Sequence, residues 1–133
     1  MSKALRPLSL TAVAALTASL ALTSAPATAS GGSDDRVIKT GACSGSADWK
    51  LKVKTDDGRL EVEGEVDSNT SGQTWAWKIK DNGSVAAKGS ATTAGRSGSF
   101  SVERTIADKA GTDKVVFKAT YAGQTCRGVI SFG

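Results

Sequence analysis

Between Asp48 and Val66 the chain reads Asp-Trp-Lys-Leu-Lys-Val-Lys-Thr-Asp-Asp-Gly-Arg-Leu-Glu-Val-Glu-Gly-Glu-Val. Few folds accommodate such a stretch. Successive side chains of a β-strand point to opposite faces, so every second residue shares a surface. Folding the stretch as a hairpin about Asp57-Gly58 sets Thr55 opposite Leu60, Lys54 opposite Glu61, Val53 opposite Val62, Lys52 opposite Glu63, Lys50 opposite Glu65 and Trp49 opposite Val66. One register thus collects three Lys–Glu pairs on one face and Trp49, Leu51, Val53, Leu60, Val62 and Val66 on the other. A slip of one residue would destroy both patterns. Asp-Gly suits the type I′ turn, whose two central residues need φ > 0. The stretch predicts a half-buried antiparallel sheet.

The rest of the chain repeats the theme. Val37–Cys43 reads as a short first strand. Asp67–Gln73 is a polar loop of turn-forming residues. In Thr74–Lys80, Trp75, Trp77 and Ile79 share one face, and Lys78 and Lys80 the other. That alternation places the two indoles in a core rather than on a sugar-stacking platform. Beyond Asp81-Asn82-Gly83, a three-residue loop with a bulge is predicted to set Ile79 by Val85, Trp77 by Ala87 and Trp75 by Gly89, giving the indoles small partners. Ser99–Ala107 points Phe100, Val102 and Ile106 inward. Arg104 interrupts this set and is expected near the strand end or at a rim. A last hairpin about Ala122-Gly123 pairs Val115 with Ile130, Phe117 with Gly128 and Ala119 with Cys126 on the inner side. Its outer side pairs Val116 with Val129 and Lys118 with Arg127, two like charges that cost energy unless an anion or acid lies nearby. About eight short strands, spaced by turns and with no helical periodicity, predict an all-β fold. The expected form is an antiparallel two-sheet, immunoglobulin-like sandwich, with a small up-and-down barrel as the alternative.

The first 29 residues read differently. Lys3 and Arg6 precede an uncharged run, Leu8–Leu22, and Ala27-Thr28-Ala29 has small residues at both specificity positions. This is the pattern of a secretory signal cleaved near Ala29. Its 15 uncharged residues fall short of the about 20 that span a bilayer, so no stable membrane anchor is expected after processing. Residues 30–36 read as a flexible tail and 37–133 as one domain. Lys3 and Arg6 leave with the signal, so the net charge of +4 overstates that of the exported domain, which needs no nucleic-acid partner. Cys43 and Cys126, an even pair in an exported chain, are expected to form a disulfide between the first and last strands. Its 83-residue span is worth roughly 4–5 kcal/mol in the chain-entropy model.

The export signal, the cysteine pair at the domain ends, the Trp75/Trp77 strand and the Gly/Ser/Thr turns resemble small secreted immunoglobulin-like β-sandwich proteins of actinomycete bacteria. The likeness covers the whole mature domain and implies the sandwich fold and an extracellular location. By size and compartment the chain is also similar to the antitumour-antibiotic apoproteins, immunoglobulin-like domains that hold an apolar chromophore. Those usually carry two disulfides, and this chain can form one. No functional residue is transferred from either group.

Catalytic chemistry finds little purchase. The chain has no histidine, which removes Ser-His-Asp and Cys-His mechanisms and most metal sites. Glu61, Glu63 and Glu65 each already face a lysine, and Asp56-Asp57 is turn chemistry. No spacing marks a cofactor or metal site, and none is expected. The reading is a non-enzymatic secreted binding module, with carriage of a small apolar ligand as the alternative. Lys78, Lys80, Lys118 and Arg127 form a candidate patch for an anionic partner, such as a cell-wall polymer or another surface protein. Exposed aromatic residues are not interleaved with these charges, which argues against nucleic acid.

Overall fold

The computed structural model describes residues 35–133. The export signal assigned to residues 1–29, and the tail as far as Asp34, lie outside the described residues. The eight strands are β1 (Arg36–Ala42), β2 (Asp48–Asp56), β3 (Arg59–Asp67), β4 (Thr74–Asp81), β5 (Ser84–Thr92), β6 (Ser99–Ala107), β7 (Asp113–Tyr121) and β8 (Gln124–Phe132). They form two antiparallel four-stranded sheets: sheet A, ordered β1-β2-β3-β6, and sheet B, ordered β5-β4-β7-β8. The result is a two-layer sandwich rather than a closed barrel. Its connectivity keeps β2 and β3 together in sheet A, whereas the immunoglobulin constant-domain pattern sends the chain to the other sheet at that point.

The opening hairpin has the predicted register from Trp49↔Val66 to Thr55↔Leu60. Its three cross-strand ion pairs also form, at 4.0 Å for Lys50–Glu65, 3.2 Å for Lys52–Glu63 and 3.5 Å for Lys54–Glu61. The last hairpin likewise pairs Val115↔Ile130, Phe117↔Gly128 and Ala119↔Cys126. Three of the hairpins turn on two residues with positive φ: Asp57-Gly58, Asn82-Gly83 and Ala122-Gly123. β1 starts at Arg36, and the Thr55 N–H donates to the Asp35 carbonyl at 3.2 Å.

The β4–β5 hairpin departs from expectation. Its loop has two residues, Asn82-Gly83, with Asp81 opposite Ser84, and the irregularity lies further in, between Ile79 and Lys80. Lys80 faces Val85 and Ile79 faces Ala87, so Ala86 is the extra residue. Trp77 therefore meets Gly89 and Trp75 meets Ala91. The physical demand was read correctly, since each indole has a small partner. The hairpin meets it with a tight turn and a displaced bulge rather than with a longer loop.

Between the sheets, Leu51, Val53, Leu60, Val62, Val66, Trp75, Ile79, Val115, Phe117 and Ile130 are fully buried. Gly64, at the centre of sheet A, lies against the Phe117 ring of sheet B, where a Cβ would overlap the ring. Trp49 is half-buried, and its indole lodges between Gly41 of β1 and Gly128 of β8. Trp75 stacks on Tyr121 with ring centroids 5.4 Å apart. Arg104 lies mid-strand on the edge strand β6, opposite Val62, and its guanidinium covers the Trp77 ring at 4.9 Å. It thus occupies the expected rim but not a strand end. Cys43, just after β1, is bonded to Cys126 of β8, so the disulfide joins an edge of one sheet to an edge of the other.

Candidate anion-binding face

Strand order decides what the outer faces carry. In sheet B, Lys78 of β4 lies directly opposite Lys88 of β5 on one side and Lys118 of β7 on the other. Lys118 in turn faces Arg127 of β8. The four side chains form one row across all four strands. With strands spaced by about 4.8 Å, the row spans roughly 14 Å. Lys88, Lys78, Lys118 and Arg127 are all exposed. Further along the strands lie Lys80, two residues from Lys78 and opposite Val116, and Lys114, four residues from Lys118 and opposite Ser131.

This face holds no carboxylate. The acids of these four strands are Asp81 and Asp113, and both are buried at 1% exposure. Among the described residues the ion pairs are the three of sheet A, so none of the six cations of the sheet B face has a carboxylate partner. The outer side of sheet A mixes signs. There Glu103 of β6 adds a fourth carboxylate opposite Glu63. Its carboxyl is raised above the ordinary value by its hydrogen bond to Glu61 and by the Glu61 charge. Glu61 is lowered, chiefly by that same hydrogen bond, with Lys54 assisting. The molecule therefore has one internally neutralised face and one uniformly positive face.

The four residues singled out from sequence, Lys78, Lys80, Lys118 and Arg127, are thus brought onto a single surface. Lys88 and Lys114 join them and were missed. Lys88 comes opposite Lys78 only because of the bulge at Ala86. Lys114 is adjacent to a buried acid in sequence, which disguised its outward direction. No acidic neighbour relieves Lys118 and Arg127, because the next residue along the row is another lysine.

Concavities on this face are lined by the same groups. One of about 230 Å³ is bounded by Lys80, Gly83, Lys114, Val116, Lys118 and Arg127. Another, of about 190 Å³, lies beside it between Lys78 and Lys118. On the opposite side of the molecule a concavity of about 460 Å³ is lined by Thr40, Gly41, Asp48, Trp49, Lys50, Glu65 and Asp67. There Asp48, Lys50, Glu65 and Asp67 surround Trp49. Among the described residues no group of three or more His, Cys, Asp or Glu is placed to hold a metal ion.

No family model matches this chain, and no curated protein or solved structure shows significant similarity to it.

At the end of sheet B nearest β6 the carboxyls of Asp81 and Asp113 form a second unusual group. Neither oxygen of Asp81 and only Oδ1 of Asp113 has a protein hydrogen-bond donor. That donor is the Lys109 N–H, at 3.2 Å. Burial first, then the hydrogen bond that a protonated Asp81 can donate to Asp113 and the repulsion of the Asp113 charge, push Asp81 up to about 6. Asp108, on the same connection, is raised mainly by its hydrogen bond to Asp113.

Proposed function

We propose that the domain is an exported, non-enzymatic binding module that meets an anionic polymer with the outer face of sheet B. The carrying observation is the unbroken row Lys88–Lys78–Lys118–Arg127 on a face without a carboxylate. Like charges directly opposed across strands destabilise a sheet by roughly 0.2–1 kcal/mol per pair. Three successive pairs of this kind make sense where a polyanion neutralises them. A face of one sign also concentrates counter-charged partners and speeds their arrival. The Cys43–Cys126 disulfide supports the extracellular setting, where thiols oxidise. Support for export itself comes from the basic, apolar and small-residue sequence of the first 29 residues.

The reading is tested by retention on an anionic cell-wall polymer across a salt series. Releasing about four to six counterions predicts a log–log salt slope of about −3 to −5. The double variant Lys78→Glu/Lys118→Glu should lose retention while melting normally, since both side chains are exposed. Absence of retention at low salt would end the proposal. An apolar-ligand carrier is favoured by no observation: the space between the sheets is occupied by Trp75, Trp77, Phe117 and their aliphatic neighbours.

A further inference from the structure

Val116 is out of place. It points to the outer face of β7 and stands outside the hydrophobic core cluster, yet it is only 9% exposed. The side chains around it bear charges. Lys80 is its direct partner on β4 and Val129 its partner on β8. Lys114 and Lys118 flank it on its own strand, and Arg127 closes the diagonal. Together with Gly83, the four cations and Val116 bound the concavity of about 230 Å³. Long cationic side chains lay their methylene stems on apolar surface and keep their charged heads in water. Here that habit produces a shallow cup with an apolar floor and a rim of four positive heads.

We propose that this cup seats a tetrahedral oxyanion, a phosphate or sulfate group carried on a polymer, with the Lys88–Lys78–Lys118–Arg127 row receiving the groups that follow. The proposal rests on the polyanion reading above and narrows it. The rim donors come from three adjacent strands, so they approach one point from different directions. A carboxylate offers two oxygens in a plane and is best satisfied by one planar fork. A phosphate that links a chain is tetrahedral and keeps two non-bridging oxygens, and a sulfate ester keeps three, so each can accept from several point-like ammonium groups arriving from different directions. Three of the four rim cations are lysines, which suits the second geometry. The valine floor displaces water beneath the anion, and charge attraction strengthens where water is thinned out. Phosphodiester nucleic acid shares the charge but prefers aromatic platforms. Outward positions of sheet B carry Thr74, Ala76, Ser90, Thr120, Thr125 and Ser131 between the cations, and no aromatic ring.

The test compares polymers of matched total charge at low salt: linear inorganic polyphosphate, dextran sulfate, polygalacturonate and single-stranded DNA, titrated against the full folded protein. Polyphosphate or dextran sulfate should bind at least tenfold more tightly than polygalacturonate, and whichever is tighter identifies the group the cup takes. Lys114→Gln/Arg127→Gln should lower that binding at least tenfold and change polygalacturonate binding less than threefold. Lys88→Gln, on the same face but away from the cup, should weaken all polymers alike. These are exposed side chains, so unchanged melting verifies that the variants fold. Equal binding of polygalacturonate, lost in Lys78→Glu/Lys118→Glu, would overturn the cup and leave the polyanion face standing. Tighter binding of DNA than of polyphosphate would also overturn the cup. No binding of any polymer would overturn both.

Discussion

Asp81→Asn should abolish a pH-dependent loss of stability in this domain. Asp81 ends β4 with 1% exposure, and both of its carboxylate oxygens lack a donor. The nearest cation does not repair this, because Lys109 Nζ donates to the Asp81 main-chain oxygen at 3.4 Å instead. Burial, reinforced by Asp113 and Asp108 and opposed by Lys109, raises the Asp81 carboxyl from 3.8 to about 6. The folded protein therefore holds a proton that the unfolded chain releases earlier. Between pH 3.8 and 6 the native state binds more protons than the unfolded state, so stability falls as pH rises and levels off above 6. A displacement of this size is worth about 2–3 kcal/mol. That is a large part of the about 5–15 kcal/mol by which domains are usually stable.

Asparagine keeps the shape and offers an amide N–H₂ to Asp113 at every pH. Below pH 4 the variant should match the native protein. At pH 8 it should be more stable by about 2–3 kcal/mol, which for a domain of this size corresponds to a melting temperature about 10 °C higher or more. Urea titrations at pH steps from 4 to 8, followed by tryptophan fluorescence, measure the difference directly. Comparing the two proteins at each pH cancels the contributions of Glu61 and the other carboxylates. A difference that is constant from pH 4 to 8, or a variant less stable at pH 8, would refute the reasoning.

Two further substitutions test the assigned faces. Val62→Lys puts a charge into the fully buried layer and should cost more than about 3 kcal/mol or prevent folding. Glu63→Lys, one residue away, loses the 3.2 Å ion pair with Lys52 at a cost of about 1 kcal/mol or less, and equal effects in chemical denaturation would show the faces to be misassigned. Gly64→Ala drives a methyl group into the Phe117 ring at the meeting point of the sheets. It should destabilise by about 1–3 kcal/mol, and a neutral result in the same titration would mean that the layers are spaced more widely than described.

The sequence announced local pairing better than it announced neighbours. The 48–66 hairpin was legible because two independent patterns, salt pairs and apolar pairs, agreed on one register, and Asp57-Gly58 supplied the turn. The Ala122-Gly123 hairpin was legible in the same way. Around Asn82-Gly83 the patterns supplied less. Val85, Ala86 and Ala87 are all small or apolar, so the alternation could not locate the bulge. Which hairpins lie side by side is a long-range question, and no local pattern answers it. Asp81 and Asp113 looked like ordinary turn acids because each borders a loop; only the placement of β4 beside β7 encloses them together.

The same limit explains the basic face. Lys78 and Lys88 lie on one hairpin and Lys118 and Arg127 on another, distant in sequence, and each alone is the solvated outer residue of a strand. Placing β4 between β5 and β7 turns four such residues into one row. A sheet indifferent to its outer surface would be expected to mix signs there, as sheet A does with Lys52 between Glu63 and its neighbours. Sheet B instead excludes carboxylates from its outer side and turns the two it has inward, where Asp81 lacks partners and bears the cost of burial. The arrangement carries a stability penalty on both sides of sheet B. On the proposed reading, the outer of these two costs is the one that a bound polyanion relieves.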